Sequence, residues 1–296
     1  SPDSKGFVMD PLAMTYKDEK IILRANANDS LSTDIAIEFE NVDLAKVTPE
    51  IDSLSLGGTI NGQLNVSKYM ATYLPKSQLD IDNFTVNNFN LGAFNAVIKG
   101  NSSLTNYDVY LKIQDDLKES FSATGNLDVS GENSNLDLDL NFKDFILNPL
   151  NPFGGGVITN IKGKVSGTSK ISGRLQKPQI NGHLILDKAG ISVPYLNLDY
   201  IFQDNTKVKL ERQSFVFEAA NILDSSFSSK AILSGKLSHV NFANWSMDTR
   251  IDSERLLVLN TEENEESLYY GTAFVAGNID ISGPMNQLYI EANVTT

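Results

Sequence analysis

The sequence contains no cysteine. That absence removes disulfide staples, thiolate metal sites and thiol nucleophiles together, and it leaves the redox compartment open. Histidine is nearly as scarce: His183 and His239 lie far apart, and neither sits in a His-x-x-x-His or Glu-bearing metal spacing. Long apolar runs are missing too. The longest are of the kind Leu256-Leu257-Val258-Leu259, far below the roughly 20 residues that span a bilayer. Positive charge is in deficit, with 24 Lys and Arg against 37 Asp and Glu and a net charge of −13. Nucleic acid would be repelled over most of such a surface and is set aside as a partner.

The familiar catalytic signatures are also wanting. Gly154-Gly155-Gly156 has no Lys-Ser/Thr after it to cradle a phosphate, and Gly163-Lys164-Val165-Ser166-Gly167 has the wrong spacing for a nucleophile elbow. Asp137-Leu138-Asp139-Leu140-Asn141-Phe142 puts Phe where a calcium loop needs its sharp-turn Gly, and no Glu closes it. It reads as the solvated face of a strand. Glu262-Glu263-Asn264-Glu265-Glu266 reads as a solvated acidic loop. Asp29-Ser30-Leu31 and Asp52-Ser53-Leu54 fit a short acceptor pattern for O-glycosylation, a match that three residues produce often by chance. The expectation is a protein that is no enzyme and carries neither metal nor cofactor.

What the sequence has in abundance is period-two alternation, which sends successive side chains to opposite faces of a sheet. Leu136, Leu138, Leu140 and Phe142 alternate with Asn135, Asp137, Asp139 and Asn141. The same pattern runs through Ile60/Leu64/Val66, Val109/Leu111/Ile113, Leu184/Leu186, Leu196/Leu198/Tyr200/Phe202, Phe215/Phe217, Ile279/Ile281 and Leu288/Ile290, with Gly, Asn, Asp or Ser clusters between runs. Helix is confined to two short connector candidates, Asp43 to Leu54, which Pro49 interrupts, and Asn241 to Trp245. His183 falls on a polar strand face beside Leu184, and His239 is expected near a turn after Gly235.

A longer repeat emerges when the strands are aligned by their glycines. Gly62-Gln63-Leu64-Asn65-Val66-Ser67, Gly167-Thr168-Ser169-Lys170-Ile171-Ser172 and Gly277-Asn278-Ile279-Asp280-Ile281-Ser282 match, 105 and 110 residues apart. Repeats of this kind signal stacked, quasi-one-dimensional architectures. The chain therefore reads as one continuous segment over 1–296, with approximate units 1–67, 68–172 and 173–282, and 283–296 starting a further strand unit. It opens on Ser1-Pro2-Asp3-Ser4 and ends in mid-strand pattern on Val294-Thr295-Thr296, so it is expected to be part of something longer, with any membrane anchor elsewhere.

The passage from Gly163 through Ile171-Ser172-Gly173-Arg174-Leu175-Gln176-Lys177-Pro178-Gln179-Ile180-Asn181-Gly182-His183-Leu184, followed by Ala189-Gly190-Ile191-Ser192-Val193-Pro194-Tyr195-Leu196, resembles the repeat of the TamB family of envelope proteins, within the AsmA-like superfamily. Leu257-Val258-Leu259-Asn260-Thr261, Leu268-Tyr269-Tyr270-Gly271-Thr272-Ala273 and Ile281-Ser282-Gly283-Pro284 add a likeness to the C-terminal periplasmic region of Bacteroidota TamB proteins. The resemblance is specific over roughly 160 to 296; before that, the alternation and the connector pattern carry it.

The resemblance implies an all-β, elongated curved sheet forming a taco-like hydrophobic groove. It implies a periplasmic protein, anchored to the inner membrane outside this chain, that bridges to an outer-membrane Omp85-type partner (TamA- or BamA-like) and carries phospholipids between the membranes. Assembly of outer-membrane proteins with the same partner, by strand augmentation, is the alternative. On the first reading the groove that takes acyl chains is lined by Leu138, Leu140, Phe142, Leu184, Leu186, Leu196, Leu198, Tyr200, Phe215, Phe217, Ile279, Ile281, Leu288 and Ile290. An open groove would keep a carboxylate placed at Leu198 hydrated, whereas a closed core would bury it.

Overall fold

The structure, a computed structural model, describes residues 6–27, 32–49, 54–70, 72–131, 134–240, 243–263 and 270–296. The two acceptor-pattern serines, Ser30 and Ser53, and most of the acidic run after Glu263 lie outside the described residues. Nineteen strands form among those that are described, assigned to one antiparallel sheet. The chain divides into two compact units, the first built on residues 1–140 with 172–176, the second on 141–171 with 177–296.

In the first unit the strands are β1 (Phe7–Val8), β2 (Leu12–Tyr16), β3 (Glu19–Ala27), β4 (Ser32–Asp43), β5 (Leu56–Tyr69), β6 (Thr72–Val86), β7 (Phe89–Gly100), β8 (Asn106–Asp115) and β9 (Lys118–Asp128), with the start of β10 (Asn135–Ile146). From β2 onward each pairs with the next in a plain meander. Directly opposed residues share a face, so the register can be followed from strand to strand. Leu12, Leu23, Ile37, Leu64, Ser77, Ile98, Val109 and Gly125 form one such row, and a Cβ on Gly125 would stand 3.0 Å from the Cα of Leu138. Next to it run Ile21, Phe39, Gly62, Leu79, Ala96, Leu111 and Ala123. The other face carries Arg24, Glu38, Asn65, Lys76, Lys99, Asp108 and Asn126. Its Arg24–Glu38 ion pair, at 3.1 Å, is surface-exposed and worth only about 0–1 kcal/mol.

The second unit contains the rest of β10, then β11 (Thr159–Arg174), β12 (Gln179–Val193), β13 (Leu198–Phe202), β14 (Thr206–Arg212), β15 (Ser214–Asp224), β16 (Lys230–Val240), β17 (Ala243–Thr261), β18 (Gly271–Pro284) and β19 (Tyr289–Thr295). β13 and β14 act as one strand broken at the 203–205 turn: β14 covers the first half of β12 and β13 the second, and β15 pairs with both.

Helix is as sparse as the sequence implies. The one α-helix among the described residues, α1 (Leu44–Val47), is capped by the Asp43 carboxylate on the Ala45 N–H and stops at Thr48, just before Pro49. Of the second helical candidate, 241–245, the first two residues lie outside the described residues, and the remainder is corrected by the structure. Trp245 lies in β17, where alternation of Trp245, Met247, Thr249 and Ile251 decides for strand over the helical reading. The strand expected over 196–202 also starts later, because Pro194–Leu196 form a 3-10 turn and Asn197 closes it in the left-handed region at φ 51°.

Long strands keep their apolar side because each irregularity inserts one residue and restores the parity. Between Phe39 and Val42 the partner strand advances only from Gly62 to Ile60, so both apolar residues stay on the same face. The displaced residue Asn41 takes φ 53°, and the Asn61 carboxamide oxygen accepts its N–H at 3.0 Å. Asp144 on Ser166 Oγ and Lys188 on Asp204 Oδ1 repeat the device, each at 2.9 Å.

Glycines on the apolar face, those of the matching segments and Gly235 among them, do a different job. At Gly235, φ is 113° and a Cβ would sit 2.3 Å from the Asp248 carbonyl oxygen; Gly62, Gly167 and Gly277 meet a neighbouring carbonyl at 2.2–2.3 Å. Without a side chain there, adjacent backbones approach and the sheet can bend toward its apolar face. Gly235→Ala is therefore expected to cost about 3 kcal/mol in urea unfolding, whereas Gly271→Ala, at φ 121° with open space around it, loses only about 1 kcal/mol from backbone strain. Equal losses at the two positions would show that the close approach contributes nothing.

Candidate apolar face and its closure

The register places the residues expected to line a groove as follows. Leu184 and Leu186 on β12 oppose Val208 and Thr206; Leu198 and Tyr200 on β13 oppose Val193 and Ile191. Phe215 links Leu210 to Leu237, which opposes Met247, while Phe217 leads through Gly235 and Thr249 to Ile281 and Ile290. Ile279 belongs to the adjoining row Ala220, Leu233, Ile251, Ile279, Ala292. These positions share one face of the second unit. Phe142 is half-buried with its ring 5.9 Å from Phe145, and Leu138 and Leu140 belong to the first unit.

They are not equally covered. Leu140, Leu184, Leu186, Leu198 and Tyr200 are buried; Leu138, Phe142, Leu196, Phe215, Phe217, Ile279, Ile281 and Leu288 are half-buried; Ile290 is exposed. Leu196 stands in the 3-10 turn and not in the strand row. Leu198 is only 3% exposed, so a carboxylate there would be buried and not hydrated.

The tip of the β15–β16 hairpin explains that burial. Asp224, 2% exposed, accepts the N–H groups of Ser226 at 3.0 Å, Phe227 at 2.7 Å and Ser229 at 2.6 Å, together with the Ser229 hydroxyl. Burial works against this carboxylate, but the Ser229 hydroxyl and the three N–H groups outweigh it and hold its pKa below the usual range. Above it Tyr200 donates to the Leu257 carbonyl oxygen at 2.7 Å, and burial pushes the phenol upward, so it stays protonated. Phe202 stacks on Phe217 at 5.9 Å, and Leu256 and Leu257 are 1% exposed.

A second closure is aromatic. Trp245 gathers Phe153, Phe215 and His239 at ring separations of 5.9, 5.8 and 4.9 Å, Phe153 coming from the 3-10 helix Asn148–Gly154. His239 is thus inside β16, buried on the apolar face, not at the turn the sequence suggested: the strand simply runs on past Gly235 to Val240. His183, opposite Lys209, is on the polar side as expected. Sequence reasoning missed Asp224 and misplaced His239 and Trp245, because a single polar or aromatic residue within apolar alternation gives no signal of its own. Val208 and Leu210 could have been found, since Val208 and Leu210 alternate with Lys207 and Lys209.

No group of His, Asp or Glu among the described residues could hold a metal ion. No helix among them is long and apolar enough to cross a membrane.

With this geometry in view, the comparisons with known proteins are decisive on family. The family model of the TamB N-terminal domain matches residues 16–186, and that of the TamB C-terminal domain matches 220–296. The chain belongs to the TamB family. The first of these matches covers the half where the sequence offered only alternation. TamB membership points to a role in outer-membrane assembly or lipid transport, and its domains are not those of an enzyme family. No curated protein and no solved structure gives a match.

Acid should weaken the second unit in two steps. Burial pushes His239 below its ordinary value of 6.5, so the unfolded chain takes up a proton first and stability falls as pH drops from about 6.5 through the lower folded value. Asp224 adds a loss below its ordinary 3.8, as its carboxylate is forced to protonate. Urea midpoints measured from pH 8 to pH 3 should show both, with His239→Gln removing the first. Asp224→Ala at pH 7 should cost about 3 kcal/mol by stranding buried N–H groups. A midpoint independent of pH between 7 and 5 would contradict the His239 assignment.

Proposed function

We propose that this TamB chain is a segment of a periplasm-spanning bridge that carries phospholipids between the inner and outer membranes by holding their acyl chains against its apolar face. An Omp85-type protein at the outer membrane and an anchor in the inner membrane would complete the path. The observation that carries this reading is the in-register row from Leu12 to Val109, apolar except for Ser77, half-buried along most of its length and backed by a polar opposite face. Such a surface fits a ligand that is long, apolar and featureless. An acyl chain of about sixteen carbons gains on the order of 12 kcal/mol by leaving water, at roughly 0.8 kcal/mol per methylene. Successive strands offer nearly the same burial, so a chain can shift along the row without giving up that energy at once. Lys and Arg are scattered, so selection by headgroup charge is expected to be weak.

Photo-crosslinking in cells tests this directly. A benzophenone side chain at Val109 or Leu64, on the apolar row, should capture phospholipid, and one at Asp108 or Gln63, on the polar face, should capture at least tenfold less. Equal lipid labelling on the two faces, or capture of unfolded outer-membrane proteins in place of lipid, would overturn the lipid reading in favour of protein assembly.

A further inference from the structure

The second unit is held shut in a way its strand pairing does not require. Pairing of β16 with β17 ends at Lys230 opposite Arg255, yet β17 continues to Thr261 alongside β18. The edge of β17 freed beyond Arg255 is capped by side chains. The Leu257 N–H donates to Ser229 Oγ at 2.8 Å, Tyr200 Oη donates to the Leu257 carbonyl at 2.7 Å, and Asn197 Nδ2 donates to the Asn260 carbonyl at 2.6 Å. Asn197 and Tyr200 belong to the turn and strand that pair with β12 and β15, so the last two bonds tie together strands that share no ladder.

Around this tie the packing is tight: Leu198, Phe202, Ile222 and Leu256 on the apolar face, and Leu257 beside them, are all at 8% exposure or less. Farther along the same face Leu233, Ile251, Ile279 and Ile281 stay half-buried. A ligand on this face meets a closed stretch beside an open one.

We propose that the Tyr200–Leu257 and Asn197–Asn260 hydrogen bonds form a latch that closes the apolar face between β13 and β17 and releases to admit an acyl chain. Ladder bonds act in rows and separate only with the strand. Two side-chain bonds can break while every strand stays paired. The hairpin tip beneath is independent of them, because Asp224 is satisfied by Ser226, Phe227 and Ser229 of its own turn and keeps its shape when Tyr200 leaves. Released, β13 and β17 part over that tip and expose Leu198, Phe202 and Leu256 to the ligand. This device rests on the acyl-chain reading of the face.

The absence of native cysteine makes a clean test possible. Asn197→Cys and Asn260→Cys are introduced together in the 296-residue chain and bridged with a short reducible bis-methanethiosulfonate, and entry of cis-parinaric acid is followed by its fluorescence. The bridged chain should take up the probe at least tenfold more slowly than the same protein after reduction. Tyr200→Phe, which keeps the ring and removes the bond, should take it up roughly fivefold faster than the parent. Equal rates before and after reduction, with bridging verified by mass, would overturn the latch while leaving the acyl-chain reading in place. Binding by none of the proteins would overturn that reading and the latch with it. Thermal melting of each protein separates slower entry from unfolding, and a bridged chain that melts as high as the parent yet excludes the probe supports the latch.

Discussion

Everything in this molecule depends on keeping cross-strand register while the chain runs back and forth many times. A strand alternates its side chains with period two, so a slip of one residue would turn an entire apolar row to water. The chain protects the register where strands are irregular. The extra residue at Asn41 is turned out in the left-handed region, where Asn61 of the next strand accepts its N–H; Asp144 and Lys188 take the same conformation, with their N–H groups accepted by Ser166 of β11 and by Asp204 of the 203–205 turn. The bulge bends the strand, and the apolar row resumes beyond it on the same face.

Bending needs a second concession, because side chains on the inner face of a curved sheet crowd one another. Glycine at Gly62, Gly167, Gly235 and Gly277 removes one side chain where neighbouring backbones come closest. Conformational freedom alone would not explain the choice, since a carbonyl oxygen occupies the space a Cβ needs. The same close approach recurs at Gly92, Gly125 and Gly182, so the device is used along much of the chain and not only at the spacing of the matching segments.

Much of this was legible in the sequence. The alternation in Leu184/Leu186, Phe215/Phe217 and Ile279/Ile281 reports which side each residue occupies, because that depends on parity alone, and the register puts them on one face. The breaks in alternation were less readable. Leu196 has the spacing of a strand residue, but Pro194 and the left-handed Asn197 detach it from the row. Burial was not readable either: Leu198 and Ile281 have equivalent local patterns, yet Leu198 lies under a contact between Tyr200 of β13 and Leu257 of β17, 57 residues apart in sequence. Such contacts are set by curvature, to which glycines and bulges contribute at many positions at once.

The two units thus use one pattern with different consequences. In the first, the apolar rows remain largely half-buried, a surface suited to a ligand that supplies the missing apolar contact. In the second, Tyr200 and Asp224 introduce polar groups into the same kind of face. A buried carboxylate and phenol are costly unless fully hydrogen-bonded, and here each is satisfied by backbone groups of turns or by an edge that the ladder has left free. Apolar residues alone would pack this contact without fixing where it forms. The hydrogen bonds fix it at one place on β17, and since they join side chains to backbone across unpaired strands, the closure they impose is separable from the stability of the sheet that carries it.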